Sequence, residues 1–460
     1  MGLVALADFG STYTKLTLVD PDRRRVVGRA QAPTSIATDV MDGYAAALAA
    51  AREAAGGAPA PVRELAVSSA GGGLRVAAVG LVADLTAAAA RQAALNAGAR
   101  VDSVLSGRLE EGALAELRAA APEILLFAGG TDGGQRQLVL DNARRLAAAE
   151  LAARVVVACN REVADEVAAI FAGAGNGVEV AANVMPKLGR LEAEGARAAI
   201  SRAFLEHVIG GKGMSDDGRF LEMVRMPTPE AVLEATRLLA SGTAGRAGEG
   251  DIVVVDVGGA TTDVHSTRGE RATPGIEQPL LPPPLTLRTV EGDLGLRAGA
   301  AGAVDADRAW LAEQLGEAGS IVPEEAARER GRRPGWIPDT AAEAGFDALL
   351  AVGCATQALA RHCGTMLLAA GEKGPPTLIA DGPDLREAKR VIGTGGVFAH
   401  REDGAAILAR ALGRRVPRSL TPLDPVVSID RGYVLAAVGL LAGEDPDLAL
   451  AVLESELDKN

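Results

Sequence analysis

Apolar and polar positions fall into two rhythms along this chain. Residues 3–8 and 13–19 are apolar runs separated by "FGST", a pattern that predicts two strands joined as a hairpin. "RRRVVGRAQAP" at 23–33 predicts a third strand, "YAAALAAAREAA" at 44–55 a helix on propensity, and "ELAVSSAGGG" at 64–73 a strand and then a loop. From 76 to 180 the rhythm changes. "RVAAVGLV", "ARVDSVLSG", "EILLFAGG" and "ARVVVACN" read as strands, with helices over "TAAAARQAALNAG", "EEGALAELRAAAP" and "QRQLVLDNARRLAAAEL" between them. Such alternation predicts a parallel sheet covered by helices.

Residues 187–243 read as mostly helical, and "MPTPEAVLEATRLLASG" places a proline at a helix start. "SGTAGRAGEG" at 241–250 is a glycine-rich joint, after which residues 251–266, "DIVVVDVGGATTDVHS", repeat the opening hairpin. A proline-rich extended stretch follows at 268–286, and residues 290–345 read as helical or irregular. "GFDALLAVGCATQALARHCGTMLLAAG" predicts one or two helices, "PTLIADG" a strand, and "AKRVIGTGGVFAH" a strand, a glycine loop and a helix start. The tail 432–452 is apolar enough to pack as helix. The expected division is a first lobe over 1–75, an inserted α/β domain over 76–180, a helical return over 181–250 and a second lobe over 251–460.

Composition narrows the function. At 460 residues the chain exceeds one ordinary core, so two or three domains are expected. A hydrophobic content of 48% with only 3% aromatic residues means small side chains that let helices pack closely. A net charge of −13 argues against a nucleic-acid or anionic-membrane surface, which needs clustered Lys and Arg. Cys159, Cys354 and Cys363 show no CxxC or zinc spacing and read as free thiols of a reducing cytoplasm. A helix through Cys354 and Cys363 puts them on different faces. "MGLVALADFG" lacks the basic start of a signal peptide, and no apolar run approaches the roughly 20 residues that span a bilayer. The expectation is a cytoplasmic protein with no membrane partner. His207, His265, His362 and His400 read as surface or packed histidines, and "EEAARERGRR" at 324–333 as a solvated helix.

The chemistry concentrates in the two hairpins. In the first, Gly10 takes positive φ without steric cost and permits a tight turn whose N–H groups form a nest for phosphate. Ser11 and Thr12 add hydroxyl donors, and Lys15 brings a positive charge back on the second strand. Asp8 repels a phosphate but meets it through Mg²⁺, a hard cation that keeps its waters and accepts one or two carboxylates. The second hairpin repeats this with Asp256, Gly258, Gly259, Thr261 and Thr262; Asp256 is placed to hold a metal-bound or attacking water. Further on, Gly393, Thr394, Gly395 and Gly396 lie between a strand and a helix start, where a flat ring or a phosphate approaches closely. The expected ligand is Mg·ATP, clamped by both hairpins, with Asp8 and Asp256 as metal and catalytic carboxylates. Other phosphate motifs fail: there is no G-x-x-x-x-G-K-[ST], "IGGKGMS" at 209–215 lacks that spacing, and "GAGNG" at 173–177 reads as a turn. "GGTDGG" at 129–134 is either a tight turn or a loop whose Thr131 and Asp132 reach a ligand at a sheet's carboxyl end.

This pattern resembles the actin, Hsp70 and sugar-kinase (ASKHA) superfamily, in which two Asp-bearing hairpins hold phosphates and a later glycine loop holds adenosine. More closely, "SSAGGGLRVAAVGLVADLTAAAARQAALNAGA", "LLFAGGTDGG", "NVMPKLG", "MPTPEAV" and "VVDVGGATTDVHS" resemble the MutL family of the glutamate mutase (methylaspartate mutase) system, unrelated to the mismatch-repair protein of that name. The resemblance implies a two-lobed actin-like ATPase of ribonuclease H-like fold with a flavodoxin-like insert. It implies an accessory role in which ATP drives reactivation or assembly of an adenosylcobalamin-dependent mutase. The insert is similar to a cobalamin-binding domain but has no D-x-H-x-x-G, so it is expected to imitate or dock on a mutase subunit. A small-molecule kinase and a non-catalytic, nucleotide-dependent scaffold are the alternatives, since fold does not establish function.

Overall fold

The structure is a computed structural model that describes residues 2–35, 38–70, 74–209, 213–270, 276–277, 281–316, 321–369 and 377–458. The loop expected at 71–73, residues 210–212 of "IGGKGMS", the side chain of His207, and much of the proline-rich stretch at 271–275 and 278–280 lie outside the described residues. The chain divides into two compact units, Met1–Ala231 with Leu280–Pro282, and Val232–Pro279 with Pro283–Asn460.

The first unit opens with strands β1 (Val4–Phe9), β2 (Tyr13–Asp20) and β3 (Arg25–Pro33), helix α1 (Val40–Ala54) and strand β4 (Arg63–Ser68). The alternating region follows: β5 (Arg75–Val79), a π-helical turn at Ala83–Ala87 leading into α2 (Ala88–Asn96), β6 (Arg100–Leu105), α3 (Glu111–Ala120) and β7 (Ile124–Gly129). It continues through α4 (Gln137–Ala147), β8 (Arg154–Cys159), α5 (Ala164–Gly173) and β9 (Val178–Val180). Helices α6 (Glu194–Ala203) and α7 (Gly218–Met223) lead to β10 (Val224–Pro227).

Two sheets result. One has the order β10-β4-β1-β2-β3, with β1, β2 and β3 antiparallel and β4 and β10 parallel to β1. The other, β6-β5-β7-β8-β9, is wholly parallel, and its strands lie in their own order 2-1-3-4-5. Every residue of β1 is buried, as a strand covered on both faces requires. Ala5, Ala7 and Phe9 of β1 share one apolar cluster with Val76 and Ala78 of β5 and with Ala89 and Ala93 of α2. The alternating region therefore packs on the first sheet through small alanine-lined surfaces.

Helix α8 (Thr228–Ser241) starts in the first unit and ends in the second. A ribbon of β11 (Gly242–Thr243) and β12 (Arg246–Ala247) precedes the second hairpin, β13 (Ile252–Val257) and β14 (Thr262–Thr267). Next come β15 (Ile276–Glu277), β16 (Thr286–Glu291), α9 (Ala300–Ala306), α10 (Arg308–Leu315), α11 (Pro323–Arg332) and α12 (Ala341–His362). The chain closes with β17 (Thr365–Ala369), β18 (Thr377–Asp381), β19 (Arg390–Thr394), α13 (Gly396–Ala399), α14 (Gly404–Gly413), β20 (Val426–Ile429), α15 (Val434–Gly439) and α16 (Pro446–Leu457). The main sheet of this unit is β16-β14-β13-β19-β20, with β13, β14 and β16 antiparallel and β19 and β20 parallel to β13. Order and polarity match those of the sheet that carries the first hairpin.

Three expectations change. Residues 224–227 form an edge strand parallel to β4, where the mostly helical reading had none; Pro227 suits an edge because it has no N–H to give a ladder. "TMLLA" is strand β17, because the helix stops at His362 and the chain then pairs antiparallel with β18; Gly364 there lies so close to Gly382 that an added Cβ would come within 2.7 Å of that backbone. The charged segment 324–333 is a helix, but it is not fully solvated: Arg330 is only 1% exposed. Its Nε donates to Asp347 Oδ1 at 2.7 Å and its Nη2 to Glu343 Oε2 at 2.7 Å, while Phe346 and Trp336 cover the guanidinium. Among the described residues no helix is long and apolar enough to cross a membrane.

Candidate functional site

In the first hairpin the β1–β2 register sets Asp8 directly opposite Lys15. The strand alternation thus puts a carboxylate and an ammonium on one face at the open end of the sheet. Lys15 Nζ stands 3.6 Å from Asp8 Oδ2, and Thr228 Oγ1 donates to Asp8 Oδ1 at 2.8 Å. Asp8 is 6% exposed, whereas Ser11 and Thr12 are exposed at the turn. The reason for glycine at position 10 differs from the expected one. Gly10 does not adopt positive φ; instead its N–H donates to the Tyr13 carbonyl, and a Cβ would lie 2.7 Å from that oxygen.

The second hairpin has the same registration with different charges. Asp256 pairs across the strands with Asp263, the position that Lys15 fills in the first hairpin. Asp263 is neutralised from behind by Arg288, 4% exposed, whose Nη2 and Nε donate to Oδ1 at 2.6 and 3.0 Å, and Thr261 Oγ1 donates to Oδ2 at 3.1 Å. Asp256 is half-buried and lies against the glycine loop: a Cβ on Gly395, where φ is +97°, would come within 2.8 Å of Asp256 Oδ1 and 2.5 Å of the Val257 carbonyl oxygen. The structure therefore brings Asp256 and the loop 393–396 together at the carboxyl ends of β13 and β19.

The glycines in that loop have separate tasks. Gly393 is buried, and a Cβ there would press on the outer side-chain atoms of Ile429, Leu408 and Phe398. Gly396 is exposed with open space around its Cα. Thr394 is buried beside Asp256 in the ladder, and Thr262 is buried with its hydroxyl donating to the Leu294 carbonyl at 2.9 Å. Gly258 and Thr261 are half-buried and Gly259 is exposed. The segment 294–299 supports this turn: Arg297 N donates to the Gly259 carbonyl at 2.7 Å and Leu296 N to the Gly258 carbonyl at 3.0 Å. Gly295 and Gly299 both press on Ala260 where any Cβ would clash. Sequence reading missed this support, together with Asp263, Arg288 and Thr228. Gly295 and Gly299 of "GDLGLRAG", four apart, were the available signal.

The other sequence candidates are structural. His362 sits between two hydroxyls, with Nδ1 2.9 Å from Thr289 Oγ1 and Nε2 2.8 Å from Ser266 Oγ, and burial pushes its pKa down to about 3. Burial and then the charge of Arg288 hold His265 well below the ordinary imidazole range. Both are packed histidines. The loop at 129–134 is a turn held from inside: Asn160 Oδ1 accepts from Gly133 N at 3.2 Å, and Asp132 Oδ1 accepts from Asn183 Nδ2 at 2.8 Å. All three cysteines are free and buried, in agreement with the sequence reading.

A protein family described as "MutL protein" matches residues 4–457 of this chain. The chain belongs to the MutL family. Protein MutL of Clostridium tetanomorphum is 40% identical over 464 aligned residues, covering 100% of this chain and 100% of that one. The match includes residues 290–345, where no motif was legible, so the supporting segment of the second hairpin lies within the MutL pattern. Likeness to solved structures is fainter. Nucleotide-free acetone carboxylase is 16% identical at a TM-score of 0.41, over 96% of this chain and 70% of that chain. Nucleotide-free diol dehydratase-reactivating factor is 14% identical at 0.36, over 96% and 99%. Component A of the (R)-2-hydroxyglutaryl-CoA dehydratase of Acidaminococcus fermentans is 11% identical at 0.31, over 97% and 100%. At such values membership in the MutL family rests on the sequence match alone.

Proposed function

We propose that this chain is an ATP-binding, ATP-hydrolysing accessory protein that reactivates or assembles an adenosylcobalamin-dependent mutase of the glutamate mutase kind. The observation that carries the reading is the repeated hairpin: two sheets of the same order and polarity, each ending a central strand in a carboxylate beside a glycine turn. Membership in the MutL family supports the accessory role.

The donor set suits Mg²⁺. Among the described residues no group of three or more His, Cys, Asp or Glu side chains is placed to hold a metal. Asp8, its Oδ1 held by Thr228, instead fits a cation that keeps its waters and completes its shell with phosphate oxygens. Asp8 would hold it, and when bound it would neutralise charge on the phosphates. Gly10, Ser11, Thr12 and Lys15 would receive phosphate from one hairpin, and Gly258, Gly259 and Thr261 from the other. Asp256 would orient the attacking water, with Gly395 and Gly396 nearest the adenosine. A change of state on nucleotide binding is what a partner mutase would read. The parallel sheet β6-β5-β7-β8-β9, with its 2-1-3-4-5 order, supports a flavodoxin-like region, which in this reading imitates a mutase subunit or docks on it.

The test is phosphate release from ATP by the purified chain, with and without an inactivated cobalamin mutase. Free phosphate that rises with the mutase is expected. A phosphorylated metabolite would point to a kinase, and calorimetry that detects no uptake of adenine nucleotide ends the reading. Crosslinks from mutase to the full chain are expected within residues 76–180; crosslinks confined elsewhere remove the docking role.

A further inference from the structure

The start of helix α8 reaches Asp8 from the far side of a strand. Strand β4 lies between β1 and β10, and both neighbours run parallel to it. Residues that follow the end of β10 therefore emerge at the same sheet edge as Asp8. Thr228 is the first residue after β10, and its hydroxyl donates to Asp8 Oδ1 at 2.8 Å across a sequence separation of 220 residues. A threonine at a helix start ordinarily turns its oxygen to its own helix N–H groups. The hydroxyl proton is a separate resource, and here it goes to the Asp8 carboxylate.

We propose that Thr228 is a positioning residue for the metal carboxylate: by occupying Oδ1 it keeps Asp8 turned so that Oδ2 is presented for Mg²⁺. This rests on the Mg·ATP reading of the site. Oδ2 and the Lys15 ammonium are 3.6 Å apart, a separation of ion pairing looser than a hydrogen bond. A carboxylate released from Thr228 is free to rotate and take Lys15 with both oxygens, which competes with the cation for the same lone pairs. Thr228 also begins the helix whose later residues, from Val232 onward, belong to the second unit.

The experiment is calorimetry of ADP binding to the full-length chain with and without Mg²⁺, for wild type, Thr228→Val and Thr228→Ser. Valine keeps the shape and removes the hydroxyl; serine restores it. Loss of an outer-shell partner typically costs about 10–100-fold in metal affinity. The Mg²⁺ enhancement of ADP binding should fall by that order in Thr228→Val and return in Thr228→Ser, with metal-free ADP binding unchanged in both. Equal Mg²⁺ enhancement in wild type and Thr228→Val overturns the positioning role and leaves the nucleotide reading standing. Wild-type protein that takes up no ADP under either condition overturns both. If the valine protein does not fold, Thr228→Ala is measured in its place against the same criteria.

Discussion

Replacing Arg330 by methionine tests whether the buried guanidinium holds the second unit together. Breaking a buried ion pair from one side costs about 3–5 kcal/mol when the abandoned partner has no other support. Here the loss is softened. Asp347 keeps Arg297, whose Nη2 donates at 2.9 Å, and Glu343, with its side chain 31% exposed, recovers water. Against that, Arg330 also donates to the Ala326 and Glu343 carbonyls and is stacked 4.7 Å from the Phe346 ring centre. The expected cost is about 2–4 kcal/mol, within the range for a broken buried network. With a urea slope of about 2 kcal/mol/M, the midpoint should fall by about 1–2 M. Both tryptophans, Trp310 and Trp336, belong to the second unit, so intrinsic fluorescence follows its unfolding directly. Exposed Arg328 on the same helix is the control, with a change within about 0.5 kcal/mol for Arg328→Met. If the two variants unfold at the same midpoint, the buried arginine contributes nothing and the reasoning fails.

Asp256→Ala should retain nucleotide in calorimetry and lose roughly a hundred-fold or more of phosphate release; unchanged turnover would remove Asp256 from the chemistry. Gly395→Ala forces a side chain onto a residue at φ +97° and into the Val257 carbonyl, so it should destabilise the second unit by about 1–3 kcal/mol and weaken ATP binding. Gly396→Ala, whose added Cβ would meet only the His400 ring at 3.9 Å, should leave the stability of the second unit within about 0.5 kcal/mol. The His362 ring is neutral when folded, with a pKa of about 3 against an unfolded value near 6.5. Its stabilising contribution is complete above pH 6.5 and is lost as pH falls from 6.5 towards 3. It amounts to about 2 kcal/mol lost by pH 5. Fluorescence-monitored urea unfolding at pH 7.5 and 5.0 should show this slope, and His362→Gln should remove the His362 share of it while the share of buried His265, of the same sign, remains.

The hairpins were legible because their signal is local. An apolar run, an aspartate and a glycine turn specify a strand end from neighbouring residues alone, and the glycine loop at 393–396 is readable for the same reason. The doubly wound region was legible because its strands and helices differ in length and period. What escaped depends on contacts made far along the chain. Residues 224–227 are too few to show alternation, and only the neighbouring β4 makes them a strand. "TMLLA" continues the apolar composition of the preceding helix, and it is pairing with β18, further along the chain, that makes it a strand. Arg330 looks like any other residue of a charged run until Asp347 and Glu343, on the next helix, accept its hydrogen bonds. Asp263 was in plain view in the second hairpin, yet its partner Arg288 comes from another strand. Even at Gly10 the residue was right and the cause was not: close approach, rather than handedness, requires it.

The three cysteines have a practical consequence. All are covered by protein, and burial pushes the Cys159 and Cys354 thiols up to about 12 and that of Cys363 higher still, so little thiolate exists near neutrality. The folded chain should behave towards maleimides as though it had no cysteine. One engineered at exposed Glu116 on α3 would then accept a dye or spin label with the native residues left in place, opening the molecule to single-site spectroscopy without a redesigned background.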